Sequence, residues 1–128
     1  MSGKFKLMIV DDSTIIRKVI EKNLAIFNVE LVAMAADGKE ALEKFKETSP
    51  QIVTLDITMP EMDGLTVLEE MINIDPKVKV MVVTALSDKA TGLKAIKLGA
   101  KSFVGKPFTE EKLKESFQNL LNQLKSGE

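Results

Sequence analysis

Five short apolar runs alternate along the chain with stretches in which apolar positions recur every three or four residues. The runs Lys6–Val10, Val29–Ala35, Ile52–Leu55, Lys79–Val83 and Ser102–Gly105 are rich in β-branched or aromatic residues and predict strands. Between them, Ile16, Ile20 and Leu24 share one helical stripe, Ala41, Leu42 and Phe45 a second, and Leu65, Leu68 and Ile72 a third. Leu93, Ile96 and Ala100 form a weaker fourth stripe. Leu113, Phe117, Leu120, Leu121 and Leu124 form the clearest, near the end of the chain.

The punctuation between these segments agrees with them. Asp37, and either Ser87 or Asp88, are placed to cap helix N-termini, and Thr109 caps the last helix with Glu110 and Glu111 in its first turn. Pro50 and Pro76 follow the second and third helical stretches, where each stops further winding, and Gly99 suits a helix C-terminus. A strict β-α repeat with short connections predicts a parallel sheet covered by helices on both faces. The continuous apolar runs "LMIV" and "VMVV" fit central strands buried on both sides. The expected fold class is therefore α/β, one doubly wound domain. No linker, internal repeat or low-complexity segment interrupts it, and the terminal "KSGE" reads as a frayed end.

At 128 residues the chain has length for one domain with a sizeable core and not for two ordinary ones. A net charge of −1 argues against non-specific nucleic-acid binding. No apolar run approaches the ~20 residues that span a bilayer, and "MSGKFKLMIV" lacks the features of a signal peptide. A cytoplasmic protein with no membrane or nucleic-acid partner is expected. The absence of Cys excludes disulfides and thiolate chemistry, and the absence of His excludes Ser–His and Cys–His catalysis. Chemistry here must use carboxylates, Lys, Arg, hydroxyls, backbone groups or a hard metal ion.

Ligands of open parallel sheets bind beyond the carboxyl ends of the strands. Just past the apolar runs stand Asp11 and Asp12, Asp56, Thr84 and Lys106, which a parallel sheet would gather at one edge. Crowded carboxylates repel each other unless a cation intervenes, and an all-oxygen set suits Mg²⁺ before Ca²⁺, since no D-x-D-x-D-G loop occurs. A lysine, a hydroxyl and a metal together suit a phosphoryl group, and a carboxylate can itself be the nucleophile. Asp56, with acids on one side and Lys106 on the other, is the expected acceptor. Taken singly, each residue has an ordinary explanation. An Asp after a strand is usually a turn or cap residue, Asp12 competes with Ser13 to cap the first helix, and Lys106 before Pro107 could be a loop lysine. Their joint placement at the ends of four strands is what points to chemistry.

The ordered set "VDDS", "LDITMPEMDG", "VVTA" and "GKPF" resembles response-regulator receiver domains, the CheY-like family of two-component signalling, over essentially the whole chain. The resemblance implies a (βα)5 flavodoxin-like domain over residues 1–128, with its core at about 5–124 and strand order 2-1-3-4-5. It makes Asp56 the phosphoacceptor and Asp11, Asp12, Asp56 and the backbone carbonyl of Thr58 the Mg²⁺ ligands. Thr84 would hydrogen-bond the phosphoryl group, Lys106 would pair with it, and the Lys106–Pro107 bond would be cis. Phe103 takes the place of the aromatic residue that follows Thr84 inward on activation. It lacks the hydroxyl of the tyrosine common in chemotaxis members, and is expected to favour the buried position more strongly; a plain core aromatic is the ordinary alternative. Met59 and Pro60 would shape the site, Asp63 and Gly64 would turn the chain into the third helix, and Thr58 and Leu86 would flank the phosphoryl position.

The family's donors are phosphohistidines. This chain has no His, so a separate histidine kinase is the implied donor, with acetyl phosphate an allowed bypass. The implied protein catalyses its own phosphorylation and dephosphorylation but is not a turnover enzyme on an external substrate. Its expected output is protein contact by a monomer. The target is most simply of chemotaxis type, with the flagellar motor switch and a phosphatase as the partners the resemblance offers. Onward transfer in a phosphorelay is the alternative. The Met1 start and the lack of room after the fifth helix favour a single-domain regulator over a piece of a longer one. A flavodoxin-like electron carrier would need a hydroxyl- and glycine-rich phosphate loop after the first strand, and aromatics for flavin. "DDSTI" stands there instead, and Trp and Tyr are absent. A haloacid-dehalogenase-type phosphatase would need a second Asp where Thr58 stands. A degenerate, unphosphorylated receiver would lack some expected residue, and all are present.

Overall fold

The continuously apolar runs become the middle of one parallel sheet. In a computed structural model that describes residues 4–58, 63–85 and 88–126, the strands are β1 (Phe5–Val10), β2 (Val29–Ala35), β3 (Ile52–Asp56), β4 (Lys79–Ala85) and β5 (Ser102–Lys106). The helices are α1 (Thr14–Leu24), α2 (Gly38–Thr48), α3 (Gly64–Ile74), α4 (Lys89–Lys97) and α5 (Glu110–Lys125). The strand order is β2-β1-β3-β4-β5 with every pairing parallel, the order the resemblance implies.

Alternation along each strand feeds two cores. Met8, Val10, Val53, Leu55, Val80 and Val82 pack with residues of α2, α3 and α4, including Phe45 and Met71. Leu7, Ile9, Ile52 and Met81 pack on the other face with Ile20 and Leu24 of α1 and Phe117 and Leu120 of α5. Side chains of a strand point alternately to opposite faces, so burial on both faces requires the unbroken apolar runs seen in the sequence. Among the described residues, no helix is long and apolar enough to cross a membrane.

Two details differ from the sequence pattern. β3, β4 and β5 run on through Asp56, Thr84 and Lys106, with Asp56 in register with Val83, and Thr84 with Gly105. A polar side chain does not interrupt the backbone ladder, and Ile57 N–H still donates to Val83 O. The fourth stripe is also rotated. Gly92 and Ala95 face the core, whereas Leu93 and Ile96 are 57% and 37% exposed. α4 turns its small residues to the sheet, so the large residues that suggest a stripe lie outside; Ala100 is buried, but beyond the end of the helix.

The caps are Ser13, Asp37, Asp63, Asp88 and Thr109, each accepting a backbone N–H in the first turn. Ser13, not Asp12, caps α1, which leaves Asp12 for other work. Ser87, the other candidate for α4, lies outside the described residues, as do Met59, Pro60 and Leu86. Gly99, at φ +119°, closes α4 in a conformation that favours glycine.

Thr54 in β3 is fully buried, and its hydroxyl has no hydrogen-bond partner among the described residues. An unpaired buried hydroxyl costs ~1–3 kcal/mol. Thr54→Val, similar in shape, is expected to raise stability by about 1 kcal/mol, read as a higher urea midpoint at unchanged slope. A lower midpoint would mean that the hydroxyl has a buried partner.

Candidate functional site

Because all strands point the same way, their final residues share one edge of the sheet. Asp11 follows β1 and keeps the ladder going by donating its N–H to Ala35 O. Its carboxylate is fully buried: Oδ1 accepts from Ser13 N–H at 2.9 Å, and Oδ2 lies 2.8 Å from Lys106 Nζ. Asp56 ends β3, 2% exposed. Its Oδ1 accepts from Thr58 N–H at 2.8 Å and from the Thr58 hydroxyl at 2.6 Å, and its Oδ2 accepts from Lys106 Nζ at 3.1 Å. Carboxylate oxygens of Asp11, Asp12 and Asp56 all lie within 4.8 Å of one another. Asp12 is exposed, and among the described residues no hydrogen bond or ion pair reaches it.

Lys106 belongs to β5, yet its amine sits between Asp11 and Asp56. Between β5 and β3 lies β4, whose last residue, Ala85, is in register with Lys106. β1 and β5 flank β3 on opposite sides, as the expected arrangement of acids on one side and lysine on the other requires, and the amine reaches beyond Asp56 to Asp11 as well. The long lysine stem reaches over two strands, which spacing along the chain cannot indicate. Thr84 itself is 1% exposed, and its hydroxyl has no hydrogen-bond partner among the described residues. The five predicted side chains thus share one edge: four are linked by short contacts or a shared carboxylate cluster, and Thr84 stands buried one strand from Asp56. Phe103 lies apart on β5, paired with Val82 and 36% exposed. Its ring is outward here, not in the buried position that the missing hydroxyl suggested.

The electrostatics follow from the burial. Burial pushes the Asp11 carboxyl above its ordinary range, and the Asp56 charge adds to this; Lys106 and the Ser13 N–H oppose it without cancelling it. Burial alone would lower the Lys106 amine, but its bonds to Asp11 and Asp56 outweigh that and raise it, so the lysine stays charged. Two nearly buried acids share one cation beside a third acid at the rim, so negative charge is in excess. That is a donor set of hard oxygens with room for a divalent cation, and it fits Mg²⁺.

A folded-state pKa above the unfolded value means that the folded chain binds more protons in between. Stability from Asp11 therefore rises as pH falls from its raised value toward 3.8 and is absent at neutral pH, where the charge is a liability. Asp11→Asn is expected to raise the Tm by a few degrees at pH 7 in chelator-containing buffer. A fall in Tm would show that the ion pair with Lys106 outweighs the burial cost.

Two contributors were not visible in the sequence pattern. Arg17 of α1 donates from Nη1 to the Asp11 carbonyl at 2.5 Å and from Nη2 to Thr14 Oγ1 at 3.2 Å, bracing the loop that carries both acids. Its only sequence signal is a cation one turn into the helix that follows them. The Thr58 hydroxyl, expected only to flank the phosphoryl position, donates directly to Asp56. The Lys106–Pro107 bond is cis.

Comparison with known proteins agrees with this geometry. Residues 7–118 match the family described as the response regulator receiver domain. The chain is 41% identical over 117 residues to the chemotaxis protein CheY of Bacillus subtilis, covering 91% of this chain and 98% of that one. The receiver domain of AraT from Geobacillus stearothermophilus superposes with a TM-score of 0.89 at 31% identity, over 96% of this chain and 97% of the other. A CheX–CheY–BeF3–Mg²⁺ complex from Borrelia burgdorferi gives 0.85 at 34% identity, over 91% of this chain and 89% of that one.

Proposed function

This chain belongs to the response regulator receiver family, and on that footing we propose that it is a switch operated by phosphorylation of Asp56. The observation that carries this reading is the Lys106 amine held between Asp11 and Asp56, at the same sheet edge as a buried Thr84 hydroxyl that has no hydrogen-bond partner among the described residues. A buried polar group without a partner is costly, and an arriving phosphoryl oxygen would give Thr84 one.

Asp11, Asp12 and Asp56, with the Thr58 carbonyl, would hold Mg²⁺, which when bound supplies positive charge against the phosphoryl oxygens. An Asp56 carboxylate oxygen forms a bond to phosphorus as the bond from phosphorus to the donor breaks, and the donor leaves with that electron pair. With a phosphohistidine donor the leaving group is imidazole; with acetyl phosphate it is acetate. Lys106 then exchanges its contact with Asp56 Oδ2 for a phosphoryl oxygen, remaining anchored to Asp11. Thr84 donates its hydroxyl to another oxygen, and Phe103 follows Thr84 inward. The chain promotes its own modification and does not turn over an external substrate.

A histidine kinase is the proposed donor. The relatives named as chemotaxis proteins support a chemotaxis-type target, the flagellar motor switch being the first to test, and the solved CheX–CheY complex supports a partner of the CheX kind. The test is intact mass after incubation with acetyl phosphate, with Mg²⁺ or with chelator. A single phosphoryl adduct that requires the metal, mapped to the peptide containing Asp56, is expected. An adduct formed equally in chelator would remove the metal from the reading, and no adduct at all would remove the phosphoacceptor.

A further inference from the structure

Gly92 stands in the middle of α4, where glycine is unfavourable relative to alanine. Its backbone is helical, so no unusual dihedral calls for glycine. Space does. A Cβ at this position would lie 3.1 Å from Phe103 Cδ1, 3.2 Å from Cγ and 3.3 Å from Cε1. One edge of the ring therefore rests on the bare backbone of α4, and Phe103 as a whole stays 36% exposed. Phe103 is in register with Val82, two residues before Thr84 on the same strand, so ring and hydroxyl lie on the same face of the sheet. α4 covers that face with only Gly92 and Ala95. The helix is held by small contacts at the point where the ring is parked.

We propose that Gly92 is a positioning residue of the switch: its missing side chain is the seat that holds the Phe103 ring outward in the unmodified protein. The proposal rests on the reading of Phe103 as the ring that follows Thr84. It goes beyond that reading by assigning the resting position to a particular residue. A methyl group at 92 presses on the outward ring and raises the free energy of the resting state. It leaves the activated state, in which the ring has left the seat, unaffected. The gain in helix propensity is common to both states and cancels. By linkage, whatever disfavours the resting state must tighten binding of a ligand that selects the activated one.

The test uses the full chain with beryllofluoride and Mg²⁺ as the phosphoryl probe. Affinity is measured by calorimetry, and ring position by fluorine NMR of protein labelled with 4-fluorophenylalanine. The chain has six Phe, and Phe103→Leu identifies the resonance. Gly92→Ala is expected to tighten the probe by about threefold or more and to shift the resting Phe103 resonance. In a Phe103→Ala background the same substitution should leave the affinity unchanged, because there is no ring to displace. Unchanged or weaker affinity in Gly92→Ala, with a wild-type Phe103 resonance that moves on adding the probe, overturns the seat and leaves the switch standing. A wild-type resonance that stays put when the probe binds overturns the ring-coupled switch and the seat with it.

Discussion

Asp56→Asn is expected to reduce the phosphoryl adduct to nothing detectable while leaving the fold intact. An amide is nearly the same size as a carboxylate, so β3 and its pairing with β4 have no steric reason to change. The amide oxygen can take the Oδ1 position and keep both bonds from Thr58. What is lost lies on the other side. The NH2 group would face Lys106 Nζ, donor against donor, and the lysine would lean on Asp11, already 2.8 Å away. The site sheds one of three clustered negative charges, so stability is expected to change by no more than about 1 kcal/mol. The amide is a poor nucleophile, so no bond to phosphorus forms at any donor concentration. Intact mass with acetyl phosphate and Mg²⁺ reads the adduct, and a urea midpoint reads the fold. An adduct that persists in the variant would mean that Asp11, Asp12 or another group is the acceptor. Loss of adduct with collapse of the midpoint would make Asp56 a structural residue instead.

The site was legible in the sequence to the extent that a parallel sheet does the gathering. Once β1, β3, β4 and β5 read as parallel, Asp11, Asp56, Thr84 and Lys106 had to meet at one edge, because that follows from strand direction alone. What lay beyond was contact that depends on side-chain reach and backbone proximity. No spacing shows that the Lys106 amine reaches past β4 to touch two acids from other strands, or that Arg17 folds back on the Asp11 carbonyl. The stripe in α4 misleads at Leu93 and Ile96, which lie outside, whereas the helix packs through Gly92 and Ala95. A glycine carries no hydropathy signal, so a contact made by the absence of a side chain cannot be seen in a pattern of side chains. Ser49 at φ 48° is a similar case: a left-handed helix end is usually sought at Gly or Asn, and here Ser holds it.

Gly64→Ala is expected to damage fold and chemistry together, because at Gly64 the backbone of α3 lies close against the backbone that follows Asp56. It is the first residue of α3, buried, capped by Asp63. A Cβ there would lie 2.3 Å from Ile57 Cα, 2.7 Å from Ile57 Cβ and 2.8 Å from Ile57 O. These are not the ends of flexible side chains. Ile57 directly follows Asp56, and its N–H continues the ladder to Val83 O. Either α3 lifts from the sheet or the end of β3 shifts, and both routes move Asp56 relative to Lys106. Overpacking of this kind costs about 1–3 kcal/mol, occasionally more, while a displacement near 1 Å at a reacting group costs roughly a hundredfold in rate. The expected result is a lower urea midpoint together with adduct formation slowed by roughly that factor, measured below the denaturant range where unfolding begins. Stability alone would not slow the chemistry of the molecules that remain folded. A reduced midpoint with a wild-type rate would therefore show that α3 absorbs the clash and that Gly64 serves packing only. Wild-type values of both would refute the close approach itself.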